Sequence, residues 1–311
     1  MTLAPEIKAF LEAGAKAGLP QVWEAPIDVI RKNTQGRVAL AGPVEDIHEV
    51  VNRFIPGPTA DLPIRIYRPT TNPSAPAIIF FHGGGWVLNF LDIYDAALTH
   101  LANQSGFTII SVSYQKAPEH PFPVPFDDCY ATLLWVIESA KDLKIDPQAL
   151  GVAGDSAGGN LASAVALKAR DNKIKLSFQI LIYPCNGMDF ELESYCEHAT
   201  GYGLSTQAMK WFWDQYLQGD SHDNNPYAVP MVANNHSNLA PAIIVTAQYD
   251  PLLSDSQRYA ELLQQAGSSV VYREYAGMIH GFFANLALTP TSKQAINFVV
   301  TEMKKITQGV N

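Results

Sequence analysis

Leu150-Gly151-Val152-Ala153-Gly154-Asp155-Ser156-Ala157-Gly158-Gly159-Asn160-Leu161-Ala162-Ser163-Ala164-Val165-Ala166 runs from an apolar strand, through a glycine-rich turn, into a helical stretch. Its centre, Gly154 to Gly158, has the form G-x-S-x-G. A turn this sharp is strained and brings strand and helix backbones together, so small residues must flank the serine. It holds the Ser156 hydroxyl at the end of the strand and at a helix N-terminus, whose dipole favours developing negative charge. The pentapeptide alone is short enough to arise by chance. The strand before it and the helix after it supply the context that a nucleophilic serine requires.

A second glycine-rich turn lies upstream. His82-Gly83-Gly84-Gly85-Trp86 follows directly on the apolar run Ala77-Ile78-Ile79-Phe80-Phe81. Acyl transfer passes through an oxyanion that needs preorganised backbone N–H donors, and glycines let a chain turn its amides inward without Cβ obstruction. The expected donors are the amides of Gly83, Gly84 and Ala157. His82 reads as a structural residue of this loop, not as a base. A phosphate-binding loop would want G-x-G-x-x-G or G-K-[ST], and neither is present.

Working outward, short β-branched and aromatic runs alternate with helical stretches. The expected strands are Val50–Phe54, Ile64–Tyr67, Ala77–Phe81, Thr108–Ser113, Leu150–Ala153, Phe178–Tyr183, Ala242–Ala247 and Val270–Tyr275. Pro56-Gly57-Pro58 separates the first two and suggests a hairpin. The later runs are continuously apolar, as in central parallel strands covered on both faces. The expected fold class is α/β, an eight-stranded, mostly parallel sheet flanked by helices.

Two segments break the alternation. Near the N-terminus, Ile7, Phe10, Leu11 and Ala15 share one helical face, although Gly14 and Gly18 interrupt it. Between Gly187 and about His236 there is no strand pattern. Met209, Phe212, Trp213, Tyr216 and Leu217 fall at helical spacing there, with Ser205 or Thr206 as N-cap. For any one of these aromatics core packing is the default reading, with some expected to line a pocket. The expected organisation is an N-terminal helical cap part (1–45), a first core part (46–186), a cap insertion (187–236) and a second core part (237–311).

The catalytic base and its orienting acid should follow the nucleophile in the chain. Four of the eight histidines come after Ser156. His198, His222 and His236 sit in the polar insertion, whereas His280, in Met278-Ile279-His280-Gly281-Phe282, follows the last strand and returns to the carboxyl edge of the sheet. Asp250 stands just past the strand Ala242–Ala247. It competes with a helix-capping role there and with Asp255, which would lie inside the next helix. The expected triad is Ser156, Asp250 and His280, with no metal or other cofactor.

The bulk properties narrow the setting. The chain has 311 residues, with 30 acidic against 21 basic and a net charge of −9. That balance argues against nucleic acid as a partner. Three cysteines without CxxC spacing argue against a disulfide framework or a zinc knuckle. No apolar run is long enough to span a bilayer, and residues 1–6 carry no basic segment leading into an apolar one, so a cytoplasmic protein is expected.

His82–Trp86, Gly154–Asn160, Asp250-Pro251-Leu252 and Ile279-His280-Gly281-Phe282, with Ser113–Pro123, together resemble the hormone-sensitive-lipase-like carboxylesterases, bacterial family IV, of the α/β-hydrolase superfamily. The resemblance runs from about residue 60 to 285. It departs at Ser113, Gln115 and Lys116, where relatives carry Asp, Arg and an apolar residue, and it is least before residue 45. It implies an eight-stranded sheet, a helical cap from the N-terminus and the insertion, hydrolysis of short- to medium-chain small-molecule esters, and room for a homodimer. An amidase or peptidase on the same triad and a non-catalytic ligand-binding receptor of the same fold are the alternatives.

Overall fold

The computed structural model describes residues 2–219 and 222–309. Eight strands, β1 (Glu49–Ile55), β2 (Leu62–Arg68), β3 (Ala75–Phe81), β4 (Thr108–Val112), β5 (Ile145–Asp155), β6 (Gln179–Ile182), β7 (Ala242–Tyr249) and β8 (Val270–Ile279), form one sheet. Their order is β1-β2-β4-β3-β5-β6-β7-β8. β1 and β2 make the expected hairpin, Ile55 opposite Leu62, and β2 pairs antiparallel with β4. All remaining pairings are parallel.

The continuously apolar runs occupy the middle of the sheet because both of their faces are covered. β4 and β6 are buried at every position. On one face lie the helices Val124–Glu138, Ala157–Asp171 and Leu253–Gln265, with Leu133, Leu161 and Leu263 in a shared apolar layer. On the other face lie Asp95–Ser105 and Thr291–Gln308, with Leu98 and Val299 against Ile78, Ile180 and Ile243.

All eight strands differ from the sequence reading by a residue or more at one or both limits, and two limits differ most. β5 starts at Ile145, where Ala75 of β3 pairs with it before a register shift, and the polar Asp146-Pro147-Gln148 obscured that start. β8 runs on past Tyr275 to Ile279, passing through Gly277 at φ 75°. A glycine normally reads as a strand end, but here a register shift between Ala247 and Tyr249 carries the ladder past it.

The described residues of 187–236 contain the helices Glu193–Glu197 and Thr206–Leu217 and no strand. Ser205 is the cap of the longer helix, its hydroxyl accepting from the Ala208 amide at 3.1 Å. Trp213 and Tyr216 of that helix close onto Trp86, at ring separations of 4.5 and 4.2 Å. The N-terminal helix Pro5–Ala17 buries Ile7 and leaves Ala15 exposed, and ends at Gly18 in the left-handed region. Among the described residues no helix is long and apolar enough to cross a membrane.

A buried carboxylate also holds the segment at its start. Asp255, fully buried in the helix Leu253–Gln265, accepts from the Gly187 amide at 3.1 Å. Burial pushes its pKa up to about 8, only partly opposed by the backbone bonds from Gly187 and Asn186. A carboxyl raised in the folded state favours folding below its unfolded pKa and loses that contribution as pH rises to the folded value. Between about pH 5 and pH 8 one proton is therefore taken up on folding, a slope of about 1.4 kcal/mol per pH unit. Asp255→Asn should remove that slope. Urea unfolding of both proteins across this window reads the difference, and parallel curves would refute the assignment.

Candidate active site

Ser156 stands between β5 and the helix Ala157–Asp171 at φ 56°, ψ −123°. This is the left-handed side of the map, costly for any residue with a Cβ and retained only where the surroundings dictate it. They do so by close approach. A Cβ on Gly158 would run into the carbonyl oxygen of Phe81 at the end of β3, and one on Gly154 into Gly158 itself. The Ser156 amide donates to the Ile182 carbonyl at 2.8 Å and its carbonyl accepts from Asn160 at 3.0 Å. The Asn160 side chain in turn donates to the carbonyls of Cys185 and Ala228, both at 3.0 Å, fastening the helix start to the chain just before the 187–236 segment and to that segment's later part.

His280 follows immediately on β8, and its Nε2 lies 2.9 Å from Ser156 Oγ. Its Nδ1 lies 2.7 Å from Asp250 Oδ2. Asp250, just beyond β7, is fully buried, and its other oxygen accepts from the Leu252 amide at 2.9 Å. The helix begins at Leu253 with Leu252 as its N-cap and no side-chain cap, so Asp250 does not cap it and the bond to the Leu252 amide is a local turn contact. Asp255 faces Gly187 instead. The other downstream histidines lie elsewhere: His198 against Tyr202 and Tyr249, His222 against Phe122, and His236 against Tyr259.

The glycine loop requires one correction. The Gly83 amide is already committed, donating to Asp155 Oδ1 at 2.8 Å and lying 3.0 Å from the Tyr94 hydroxyl. It is therefore not an available donor toward a bound oxyanion. Gly84 and Gly85, by contrast, face the cavity beside Ser156 and His280. Their φ values, +114° and +60°, are what turn them inward, and a Cβ on Gly85 would overlap the Phe212 ring. His82 is buried, stacked on Tyr114 at 4.5 Å, and its Nδ1 donates to the Gly83 carbonyl at 2.8 Å. Burial lowers its pKa to about 3, so it stays neutral.

Asp155, the variable residue inside G-x-S-x-G, was not assigned a role from sequence. Its Oδ2 accepts from the Tyr94 hydroxyl at 3.1 Å, and Asn89 donates to the Gly83 carbonyl and to the same hydroxyl, both at 3.2 Å. Burial raises the Asp155 pKa to about 6, against the pull of the Gly83 amide and His280. No spacing rule points to Tyr94 or Asn89, since their partners lie on other elements.

Ser156 opens into a cavity of about 320 Å³. Phe10 and Val22 of the N-terminal segment line it, as do Leu204, Met209 and Phe212 of the 187–236 segment. The aromatic helix is thereby divided: Met209 and Phe212 face the cavity, while Trp213 and Tyr216 pack on Trp86.

A family profile described as the alpha/beta hydrolase fold matches residues 78–284. An arylesterase of Saccharolobus solfataricus is 33% identical over 307 residues, covering 98% of this chain and 99% of that protein. An ethyl acetate hydrolase of Pseudomonas putida is 32% identical over 318 residues, with coverage of 98% and 99%. The structure of a hyperthermophilic esterase from the archaeon Pyrobaculum calidifontis superposes with a TM-score of 0.93 at 34% identity, over 100% of both chains. Motifs, sheet order and relatives agree, and the chain belongs to the hormone-sensitive-lipase-like carboxylesterases of the α/β-hydrolase superfamily.

Proposed function

We propose that this chain hydrolyses small carboxylic esters of short to medium acyl length through a covalent acyl-enzyme, with Ser156, His280 and Asp250 as its triad. The observation that carries the reading is the continuous chain from Ser156 Oγ to His280 Nε2 at 2.9 Å and from His280 Nδ1 to Asp250 Oδ2 at 2.7 Å. Its opening onto a cavity of about 320 Å³, at the small end of ligand pockets, supports the acyl range.

Ser156 Oγ attacks the ester carbonyl carbon while His280 Nε2 takes its proton. Negative charge builds on the carbonyl oxygen, and the amides of Gly84, Gly85 and Ala157 donate to it. The C–O bond to the alkoxy group then breaks, and His280 returns the proton to the departing alcohol. Water repeats the sequence on the acyl-enzyme, giving up a proton to His280, and the acid leaves as Ser156 is reprotonated. Asp250 keeps the His280 proton on Nδ1 and stabilises the imidazolium formed in each half. Residues 1–45 and 187–236 act as the cap that walls the acyl site, as Phe10, Val22, Met209 and Phe212 suggest.

The test is hydrolysis of p-nitrophenyl esters of increasing acyl length, with p-nitroacetanilide beside p-nitrophenyl acetate. Wild type should favour short to medium esters, with the anilide far slower. Ser156→Ala should lower kcat by roughly 10⁴-fold or more. A folded wild type inert on every ester, or a Ser156→Ala variant as active as wild type, would reject the mechanism. Asp250→Asn offers an independent check: with its tautomer control lost, kcat at neutral pH should fall on the order of 10⁴-fold. A loss under tenfold would transfer the acid's role elsewhere.

A further inference from the structure

The sequence holds eight arginines, and seven have a carboxylate or an aromatic ring as partner. Arg31 pairs with Glu119, Arg65 with Asp92 and Asp95, Arg68 with Glu49, Arg170 with Asp171, and Arg258 with Asp189. Arg53 lies over Trp135, and Arg273 over Tyr275 and Phe298. Arg37 is the exception. It closes the short turn Thr34–Arg37 of the N-terminal segment, and its side chain lines the Ser156 cavity. Its one side-chain hydrogen bond among the described residues is a long one, Nη1 to Asn89 Oδ1 at 3.4 Å. Nη2 lies against the catalytic-histidine loop, 3.6 Å from where a Cβ on Gly281 would stand.

Arg37 is half-buried with a single long side-chain hydrogen bond, which leaves guanidinium donors free to meet a ligand in the cavity. The one carboxylate on that wall, Asp155, interacts with Arg37 electrostatically but not through a direct ion pair. Both of its oxygens are engaged, by the Gly83 amide and the Tyr94 hydroxyl, and no ion pair joins it to Arg37 among the described residues. The remaining wall is apolar or neutral apart from His280. In a chain of net charge −9, this cation is what would admit an anion to the cavity.

We propose, building on the esterase reading, that Arg37 receives a carboxylate carried by the substrate, so that the preferred esters bear an anionic group a short chain away from the scissile bond. The planar fork of a guanidinium matches a carboxylate bidentately, and a charge-assisted pair in a cavity outweighs a neutral contact. Arg37 would thereby select substrate without taking part in bond breaking.

Two matched pairs test this, since the carboxylate could sit on either side of the ester. Monomethyl glutarate is compared with methyl pentanoate, and 4-acetoxybutanoate with butyl acetate, each followed by pH-stat titration. The quantity read is the ratio of kcat/KM, charged over neutral, within a pair. In wild type at least one pair should favour the charged ester. Arg37→Gln should lower that ratio about tenfold or more, chiefly through KM, while Arg37→Lys retains part of it. Added salt should lower the wild-type ratio as well. A wild type that disfavours the charged member of both pairs overturns the proposal. So does a ratio unchanged in Arg37→Gln, because an arginine that merely offsets Asp155 or steadies the Asn89 loop would move both members together. Failure to hydrolyse the neutral esters would instead reject the esterase reading beneath it.

Discussion

The contact on which the site depends joins two turns that lie far apart in the chain. At the end of β3 the Gly83 amide donates to the Asp155 side chain at the end of β5, one residue before Ser156. A few ångströms away Gly158 sits directly on the Phe81 carbonyl, with no room for a Cβ. The hydrogen bond and the backbone contact lock the glycine loop to the serine turn, and the strained φ of Ser156 persists because both sides of that turn are pinned. Preorganisation of this kind is what lets fixed amides stabilise a developing charge without reorganising at the moment of reaction.

From that junction the structure extends in two directions. Trp86, the last residue of the glycine loop, carries the Trp213 and Tyr216 rings, so the loop's far side is the seat of the aromatic helix. Asn160, at the start of the helix after Ser156, binds the carbonyls of Cys185, just before the same segment, and Ala228, within it. The segment above the sheet is thus tied down at the residues flanking the serine, and it presents Met209 and Phe212 to the cavity as a consequence.

The parts legible in the sequence were those governed by local pattern. Apolar runs located all eight strands, and chain order singled out Ser156, Asp250 and His280, which the fold brings into hydrogen-bonding distance. What escaped depends on partners distant in sequence. The His82–Gly85 motif does not disclose which of its amides is already bonded, because the bond is to a residue 72 positions away. Likewise β8 continues past Gly277 only because β7 shifts register beside it. Arg37 carries no motif. Its meaning comes from the cavity it lines and from having no direct ion pair among the described residues, both properties of the assembled chain.

Asp250 and Asp255 show how position alone divides equal chemistry. Both are fully buried carboxylates five residues apart. Asp250, just beyond β7, accepts from His280 Nδ1 and from the Leu252 amide, so both of its oxygens are bonded. Asp255, one turn into the helix, meets only backbone amides and is driven toward its neutral form. The same reasoning places substrate choice outside the sheet. The serine turn, the glycine loop and the acid are constrained by contacts in which a methyl group would collide or a charge would go unpaired. Phe212 presses on Gly85 and Arg37 bonds Asn89, but Phe10, Val22 and Met209 line the cavity from segments above. Those side chains can change size or charge without disturbing the geometry of bond breaking, so the walls are where one catalytic centre can be adapted to different esters.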